Sequence, residues 1–436
     1  MRLPAFAVLL AAALAACAPS RPAPDVPAVE GRGGVEAEAT ALVLISIDGF
    51  RWDYLDRAEV EAPTLRRLVT EGVRAERLVP VYPTKTFPNH YSLVTGLHPE
   101  AHGIVNNTMY DPGLPNSEGG AGRFALSDRD AVTDPRWWGG EPIWVTAERQ
   151  GVRTGTVSWP GSEAAIGGVR PTDWLVYDGD RPYAARVDSA LTWRGADRRG
   201  ADRPARFVTL YFEGVDTAGH IHGPDAPETA AAIEEVDAAL ALLVEGLEAR
   251  GLLDRTDLVV VSDHGMTPVS PGNVVVLDEA VDLETEAENV VWGEAAGIWP
   301  APGVDVADLA ARVDALPHAR AYTRDAVPER FAYRASDRIP PVVIVPDVGW
   351  TVSSRSYVER YPDRPSGGAH GYDNAHPDMH GLFVARGPSF RGGVEVGALS
   401  ALDVYGILAA ALGLEPAPND GDPVAVGRVL AVGAGR

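Results

Sequence analysis

Cysteine is all but absent from this sequence. Among 436 residues there is one, Cys17, so no intrachain disulfide can form. Basic residues are also few, 38 Lys and Arg against 61 Asp and Glu, for a net charge of −23. Such a balance lacks the positive footprint that binding to a nucleic-acid polymer or an anionic lipid surface requires, so neither is expected as a partner. A small anionic substrate stays open, because bound metal ions can reverse the sign of the potential locally. The apolar run FAVLLAAALAA near the N-terminus is too short for a transmembrane helix, and no internal repeat is evident. Apolar residues make up 45% of the chain, enough for a substantial core, which excludes global disorder. The length suits one large α/β domain with an insertion, expected as a monomer.

The N-terminus reads as an export signal. Arg2 precedes the apolar run, which ends in Leu14-Ala15-Ala16-Cys17, a sequence that resembles the lipobox of bacterial lipoproteins. Residues 1–16 are then a signal peptide, and Cys17 is the lipidated first residue of the mature chain. Residues 17–39, rich in Pro, Ala, Gly and Glu without an apolar period, form a flexible tether. The expected location is the periplasmic side of a bacterial envelope, anchored by lipid, with the outer membrane favoured. Cys17-Ala18-Pro19-Ser20-Arg21 also fits the C-x-P-S-R pattern of sulfatases, but it lies upstream of every strand and cannot reach a core site.

From residue 40 onward, apolar runs alternate with helical patterns. Ala41–Ile47, Arg206–Phe212 and Asp257–Val261 are apolar on both faces, as buried parallel strands are. Thr64–Glu71 reads as a helix, and Pro227–Leu253 as a long amphipathic one, with Ile233, Val236, Leu240, Leu243, Val244 and Leu247 at three- and four-residue steps. A closing helix is expected over Val404–Leu412. The fold class is α/β, a mostly parallel central sheet flanked by helices. Residues 275–345, with short mixed segments and several prolines, read as a small inserted α+β subdomain within a catalytic domain of residues 40–436. The main sheet is expected to resume near Val342–Val345 and Leu382–Val384.

Ligands of such sheets bind beyond the carboxyl ends of the strands, where Asp48, Asp216, Asp263 and His264 fall. His220 follows Asp216 by four residues, and His370 comes later. Three carboxylates and three imidazoles divide into two open three-ligand sets of the kind that hold zinc, leaving net positive charge for a phosphoryl oxygen. Any one of these residues alone is more often a turn former or helix cap; their joint placement carries the reading. Of the chain's ten histidines, His222, His376 and His380 lie close enough to be rivals, while His90, His98 and His102 suit bracing roles. In YPTKTFPNHYSLVTG, residues 82–96, Thr84 and Thr86 flank Lys85 ahead of a helix start. Either threonine is a nucleophile there, or the stretch is only a capped helix; Lys85 reads as an exposed or supporting charge.

The segment YPTKTFPNHYSLVTGLHPEAHGIVNNTMYDP resembles the signature of the nucleotide pyrophosphatase/phosphodiesterase family of the alkaline phosphatase superfamily. SWPGSE, YFEGVDTAGHIHGP, SDHGM and GAHGYDN follow in that family's order, so the similarity runs from residue 41 to the end. The resemblance implies an alkaline-phosphatase-like fold and two Zn²⁺ per chain. One zinc would be held by Asp48, Asp263 and His264 with Thr86, the nucleophile, on it; the other by Asp216, His220 and His370. It implies that Asn107 donates to a phosphate oxygen and that Phe87, Tyr211 and Tyr177 wall a nucleotide pocket. The expected activity is hydrolysis of nucleotide 5′-phosphodiester or pyrophosphate bonds through phosphothreonine. Alternatives on the same frame are a lipid-head-group or choline phosphodiesterase and a phosphonoacetate-type hydrolase. Outside catalysis, an envelope lipoprotein that binds metal or nucleotide remains.

Overall fold

The computed structural model of the chain describes residues 40–115, 120–195 and 203–431. The signal, Cys17 and tether expected at the N-terminus lie outside the described residues. The central element is an eight-stranded sheet whose spatial order is Val394–Val396, Val73–Ala75, Phe383–Arg386, Thr256–Val261, Ala41–Ile47, Phe207–Phe212, Thr154–Val157 and Asp173–Leu175. Its pairings are parallel except those of Phe383–Arg386, which runs antiparallel to both neighbours. The sheet is therefore mixed, with a parallel majority.

The strand Ala41–Ile47 shows why both faces are covered. Leu42 and Leu44 join one apolar core with Tyr91, Trp144 and Ile407. Val43, Ile45 and Ile47 join another with Leu65, Leu191 and Leu240 on the opposite face. Side chains alternate across a strand, so a run apolar at every position demands helices on both sides. The long helix runs Pro227–Ala249, ending at Gly251 in the left-handed region (φ 65°), and a short 3-10 turn at Leu253–Arg255 replaces the expected last turn. Its apolar stripe is buried as the periodicity requires. The same helix buries Asp237, whose carboxylate accepts from the N–H groups of Thr64 (3.0 Å) and Leu65 (2.7 Å) and so caps the helix Pro63–Glu71 from outside.

A four-stranded antiparallel sheet, ordered Ala287–Val291, Ala296–Pro300, Val342–Pro346, Ala319–Thr323, forms a second layer with the helix Val306–Asp314 and a core including Ile298, Leu309 and Ile344. Here one expectation is overturned. Val342–Pro346 does not resume the main sheet; it pairs antiparallel with Ala296–Pro300 and Ala319–Thr323. Leu382–Val384 does return to the main sheet, through Phe383–Arg386.

Candidate active site and metal centre

The strands Thr256–Val261, Ala41–Ile47 and Phe207–Phe212 lie side by side and parallel, so their carboxyl ends fall together. Asp48 follows the middle one directly, and Asp263 and His264 follow the first. Asp216 and His220 sit four apart on the helix Gly214–His222, which starts just after the third. Gly49 makes the close approach possible: its φ is 67°, and a Cβ there would lie 2.9 Å from the Asp216 backbone. His370 arrives from the turn after Gly367–Ala369, a strand packed on that helix.

These six side chains form one cluster. Asp216, His220 and His370 bring ligand atoms within 4.8 Å of one another, as do Asp48, Asp216 and His264. His264 Nε2 lies 3.0 Å from Asp263 Oδ2 and 3.4 Å from Asp48 Oδ1. Each of the three imidazoles has Nδ1 on a backbone carbonyl: His220 on Gly368 (2.8 Å), His264 on Gly265 (2.9 Å) and His370 on Thr84 (2.7 Å). A carbonyl only accepts, so Nδ1 carries the proton and Nε2 presents a lone pair, as metal-ligating histidines do. His220 Nε2 and His370 Nε2 face each other at 3.1 Å, and Asp48 Oδ1, Asp216 Oδ1, Asp263 Oδ2 and His264 Nε2 are buried without a hydrogen-bond partner among the described residues. Converging lone pairs and carboxylate oxygens repel one another unless cations lie among them. The donor set, oxygen and imidazole without thiolate, fits zinc.

Electrostatics agree with that need. Burial, with the charges of Asp263 and Asp216 added, pushes the Asp48 carboxyl well above the usual range. Burial, then the neighbouring His264, Lys85 and His220, holds His370 well below the ordinary imidazole range and therefore neutral.

The rival histidines separate from the cluster by their contacts. His90 comes near Asp48 and Asp263, but Nε2 is engaged with Ser46 Oγ (2.8 Å), and Nδ1 with Thr86 O (2.9 Å) and Asp263 Oδ2 (3.2 Å). With both nitrogens occupied it braces Ser46 and the helix start, while the Gly49 N–H donates to Asp263 Oδ1 (3.2 Å). His380 bonds Asn374 O, His376 Nδ1 accepts from Asp378 N, and His222 is exposed. His102, buried in the apolar core with its pKa pushed down to about 3 by that burial, accepts from Ile104 N.

The structure also distinguishes the two threonines. Thr84 is fully buried, and its hydroxyl donates to Tyr372 O and accepts from Gly371 N (2.8 Å). Thr86 opens the helix Thr86–Thr95, lines a cavity of about 250 Å³ beside Asp48 and Asp216, and its hydroxyl has no hydrogen bond among the described residues. The helix start offers fewer free donors than a bare N-terminus. Asn107 Oδ1 accepts from Phe87 N (2.9 Å), Pro88 has no N–H, and Asn89 N donates to Lys85 O. Tying Oδ1 to Phe87 leaves the Asn107 amide Nδ2 as its free end.

Phe87, Tyr177 and Tyr211 all line this cavity, with Trp159, Arg129 and Glu163. Tyr211 has a second role that the sequence did not suggest. Its hydroxyl donates to Asp48 Oδ2 at 2.6 Å, so it walls the cavity and orients Asp48 at once. Arg186 was missed entirely. Its fully buried guanidinium donates to both carboxylate oxygens of Glu213, to Tyr211 O (2.9 Å) and to carbonyls of residues 178, 179 and 181, fixing the loop behind Tyr177. A signal existed: Arg186 sits among Tyr183, Val187, Ala190 and Leu191, on the buried stripe of the helix Tyr183–Arg194.

Lys85, the chain's only lysine, is not an exposed charge. Nζ donates to Glu294 Oε2 and to His370 O, both at 2.7 Å, joining the loop before Thr86 and the turn that carries His370 to the smaller sheet. Gly371 (φ 122°) makes room for it, since a Cβ there would lie 2.4 Å from Lys85 Cε.

A family model described as type I phosphodiesterase / nucleotide pyrophosphatase matches residues 42–373. Ectonucleotide pyrophosphatase/phosphodiesterase family member 1 of Mus musculus is 36% identical over 407 residues, 91% of this chain but 43% of the relative, so the chain spans less than half of that protein. Among solved structures, murine ectonucleotide pyrophosphatase/phosphodiesterase 5 superposes with a TM-score of 0.81 at 35% identity, covering 90% of this chain and all of that one. An inactive threonine-to-alanine form of the same murine protein, in complex with AMP, matches equally well. The fold is the alkaline-phosphatase-like α/β architecture of these proteins.

Proposed function

Because the chain belongs to the type I phosphodiesterase / nucleotide pyrophosphatase family, we propose that it hydrolyses nucleotide 5′-phosphodiester and pyrophosphate bonds, with Thr86 as nucleophile and two zinc ions. The observation that carries this is the Thr86 hydroxyl, without a hydrogen-bond partner among the described residues, between the carboxylate–imidazole cluster and a cavity walled by aromatic rings. The murine relative's inactive threonine-to-alanine form and its bound AMP support the assignment.

Asp48, Asp263 and His264 would hold one zinc, and Asp216, His220 and His370 the other. Bound there, zinc supplies positive charge that polarises a phosphoryl oxygen and lowers the pKa of a hydroxyl or water on it. The protein's own residues do the rest. The base lies against Phe87, Tyr177 and Tyr211, which orients the phosphorus toward Thr86 Oγ. Asn107 Nδ2 donates to a phosphate oxygen as charge develops. The Thr86 Oγ–P bond forms as the bond to the leaving oxygen breaks, and water then releases the nucleotide from phosphothreonine. The Tyr211 hydroxyl and the Gly49 N–H keep Asp48 and Asp263 oriented throughout. Export, with a lipid on Cys17, remains part of this proposal; mass analysis of the protein purified from its native envelope checks it.

The test is release of p-nitrophenol from the thymidine 5′-monophosphate ester by purified protein, before and after chelation. Turnover should stop on chelation and return with zinc, and Thr86→Ala should abolish it while metal content stays near two per chain. Full activity in the Thr86 variant, or phosphate trapped on Thr84, would refute the reading.

A further inference from the structure

The cavity beside Thr86 has a polar wall beyond its stacking rings, and contacts lead to it from the ligand cluster. The Tyr211 hydroxyl donates to Asp48, and the Tyr177 ring meets the Tyr211 ring edge-on at 6.2 Å. Tyr177 N donates to Glu163 Oε1 at 3.1 Å, and Arg129 Nη2 donates to Glu163 Oε2. All four of these side chains line the cavity. Arg129 is hydrogen-bonded to no member of the cluster among the described residues. A base lying on the two rings, with its phosphate at Thr86, therefore turns its far edge toward Arg129.

We propose that Arg129 reads the base, so that the site selects guanine and uracil or thymine over adenine and cytosine. This rests on the function proposed above. The choice follows from which hydrogen-bonding groups in the cavity are already spent. An exocyclic amine needs an acceptor, and carboxylates are the strong ones. Both oxygens of Glu163 are occupied, by Tyr177 N and Arg129, and both oxygens of Glu213 by Arg186. Asp48 and Asp216 belong to the cluster. What remains is a set of donors. Arg129 spends one N–H on Glu163, and its other N–H groups have no partner among the described residues. Its side chain is 44% exposed, against 6% for Glu163, so the guanidinium and not the carboxylate is within reach. A guanidinium has no acceptor, and its fork fits O6 and N7 of guanine, while O4 of uracil or thymine takes one of the same donors. Adenine and cytosine present an amine at those positions, donor against donor. Ser158 also lines the cavity, with Oγ buried and unpartnered among the described residues. A hydroxyl both donates and accepts, so Ser158 does not choose between bases.

The p-nitrophenyl 5′-esters of GMP, AMP, UMP and CMP share leaving group, phosphate and sugar, so the ratios of their kcat/KM values isolate the base. Zinc-loaded wild type should favour guanine over adenine and uracil over cytosine by about tenfold or more. Arg129→Ala should flatten both ratios. Arg129→Gln, whose amide fits N6 and N7 of adenine, should move the purine ratio toward adenine. These ratios do not depend on the fraction of protein folded, so they hold even for a less stable variant. Wild type without the preferences, or variants that lose activity equally on all four esters, would overturn the proposal; Arg129 would then only tie Glu163 and the Tyr177 backbone. Calorimetric binding of the four nucleoside monophosphates to zinc-loaded Thr86→Ala ranks the bases without turnover. The expected ranking there, with no hydrolysis by wild type, would sink the proposed function and leave the base selection standing. A flat ranking with an active wild type would do the reverse.

Discussion

At the scale of single residues, the 2.6 Å hydrogen bond from Tyr211 to Asp48 separates two functions that one side chain combines. Tyr211→Phe keeps the ring that walls the cavity and removes only the hydroxyl that orients the carboxylate. Losing such outer support typically costs about 10–100-fold in metal affinity or activity. The Phe variant should therefore lose activity equally on a nucleotide ester and on bis-p-nitrophenyl phosphate, and zinc addition should restore part of it. Tyr211→Ala should add a further loss of about 1–3 kcal/mol, seen with the nucleotide alone. Wild-type kinetics in the Phe variant on both substrates would remove Tyr211 from the metal centre. This double role was not legible in the sequence. It depends on parallel register, which sets Tyr211 opposite Ser46 and so within reach of Asp48. The carboxylates themselves were legible because each ends or follows a buried apolar run, a signal contained within a few residues.

Elements behave differently. The helix Pro63–Glu71 begins after Ala62, which has no capping side chain, and borrows its cap from Asp237 on the long helix. Asp237→Ala should destabilise the protein by about 1–3 kcal/mol, the cost of leaving buried N–H groups without an acceptor. Urea unfolding should show this as a lower midpoint, while turnover per folded molecule stays near wild type. An unchanged midpoint would mean that water replaces the carboxylate. The long helix was legible from its apolar stripe, yet nothing in that stripe says what a buried aspartate inside it serves. Val342–Pro346 teaches the same lesson for strands. An apolar run of this length suits either sheet, because period-two patterning gives burial and not the partner. Its placement in the smaller sheet follows from pairing with Ala296–Pro300, far away in sequence.

For the whole molecule, one carboxyl outside the site links stability to pH. Burial raises the pKa of Asp257 to about 6, and Oδ2 has no hydrogen-bond partner among the described residues, though Oδ1 accepts from Ser389 N at 3.0 Å. The folded chain therefore keeps a proton there between about pH 4 and 6 that the unfolded chain releases. That contribution is complete below the unfolded pKa and is lost as pH rises through the folded one. Above it the ionised carboxylate costs about 2–3 kcal/mol. Asp257→Asn keeps the acceptor for Ser389 and should be more stable than wild type at pH 8, with the gap closing near pH 4. Denaturation midpoints at the two pH values decide this; a gap independent of pH would exclude Asp257 as its source.

The ion pair between Lys85 and Glu294 has a consequence for proteolysis. As Lys85 is the chain's only lysine, a protease that cuts after lysine has one bond to attack, Lys85–Thr86. That bond is the junction between the helix Thr86–Thr95 and the loop before it, and its lysine is tied to Glu294 and to the His370 carbonyl. Cutting requires those ties to open, so when reclosing outpaces cleavage the rate of the single cut measures the free energy of opening at the active site itself. Zinc and a bound nucleotide should each slow that cut, which makes occupancy of the site readable as the survival of one peptide bond.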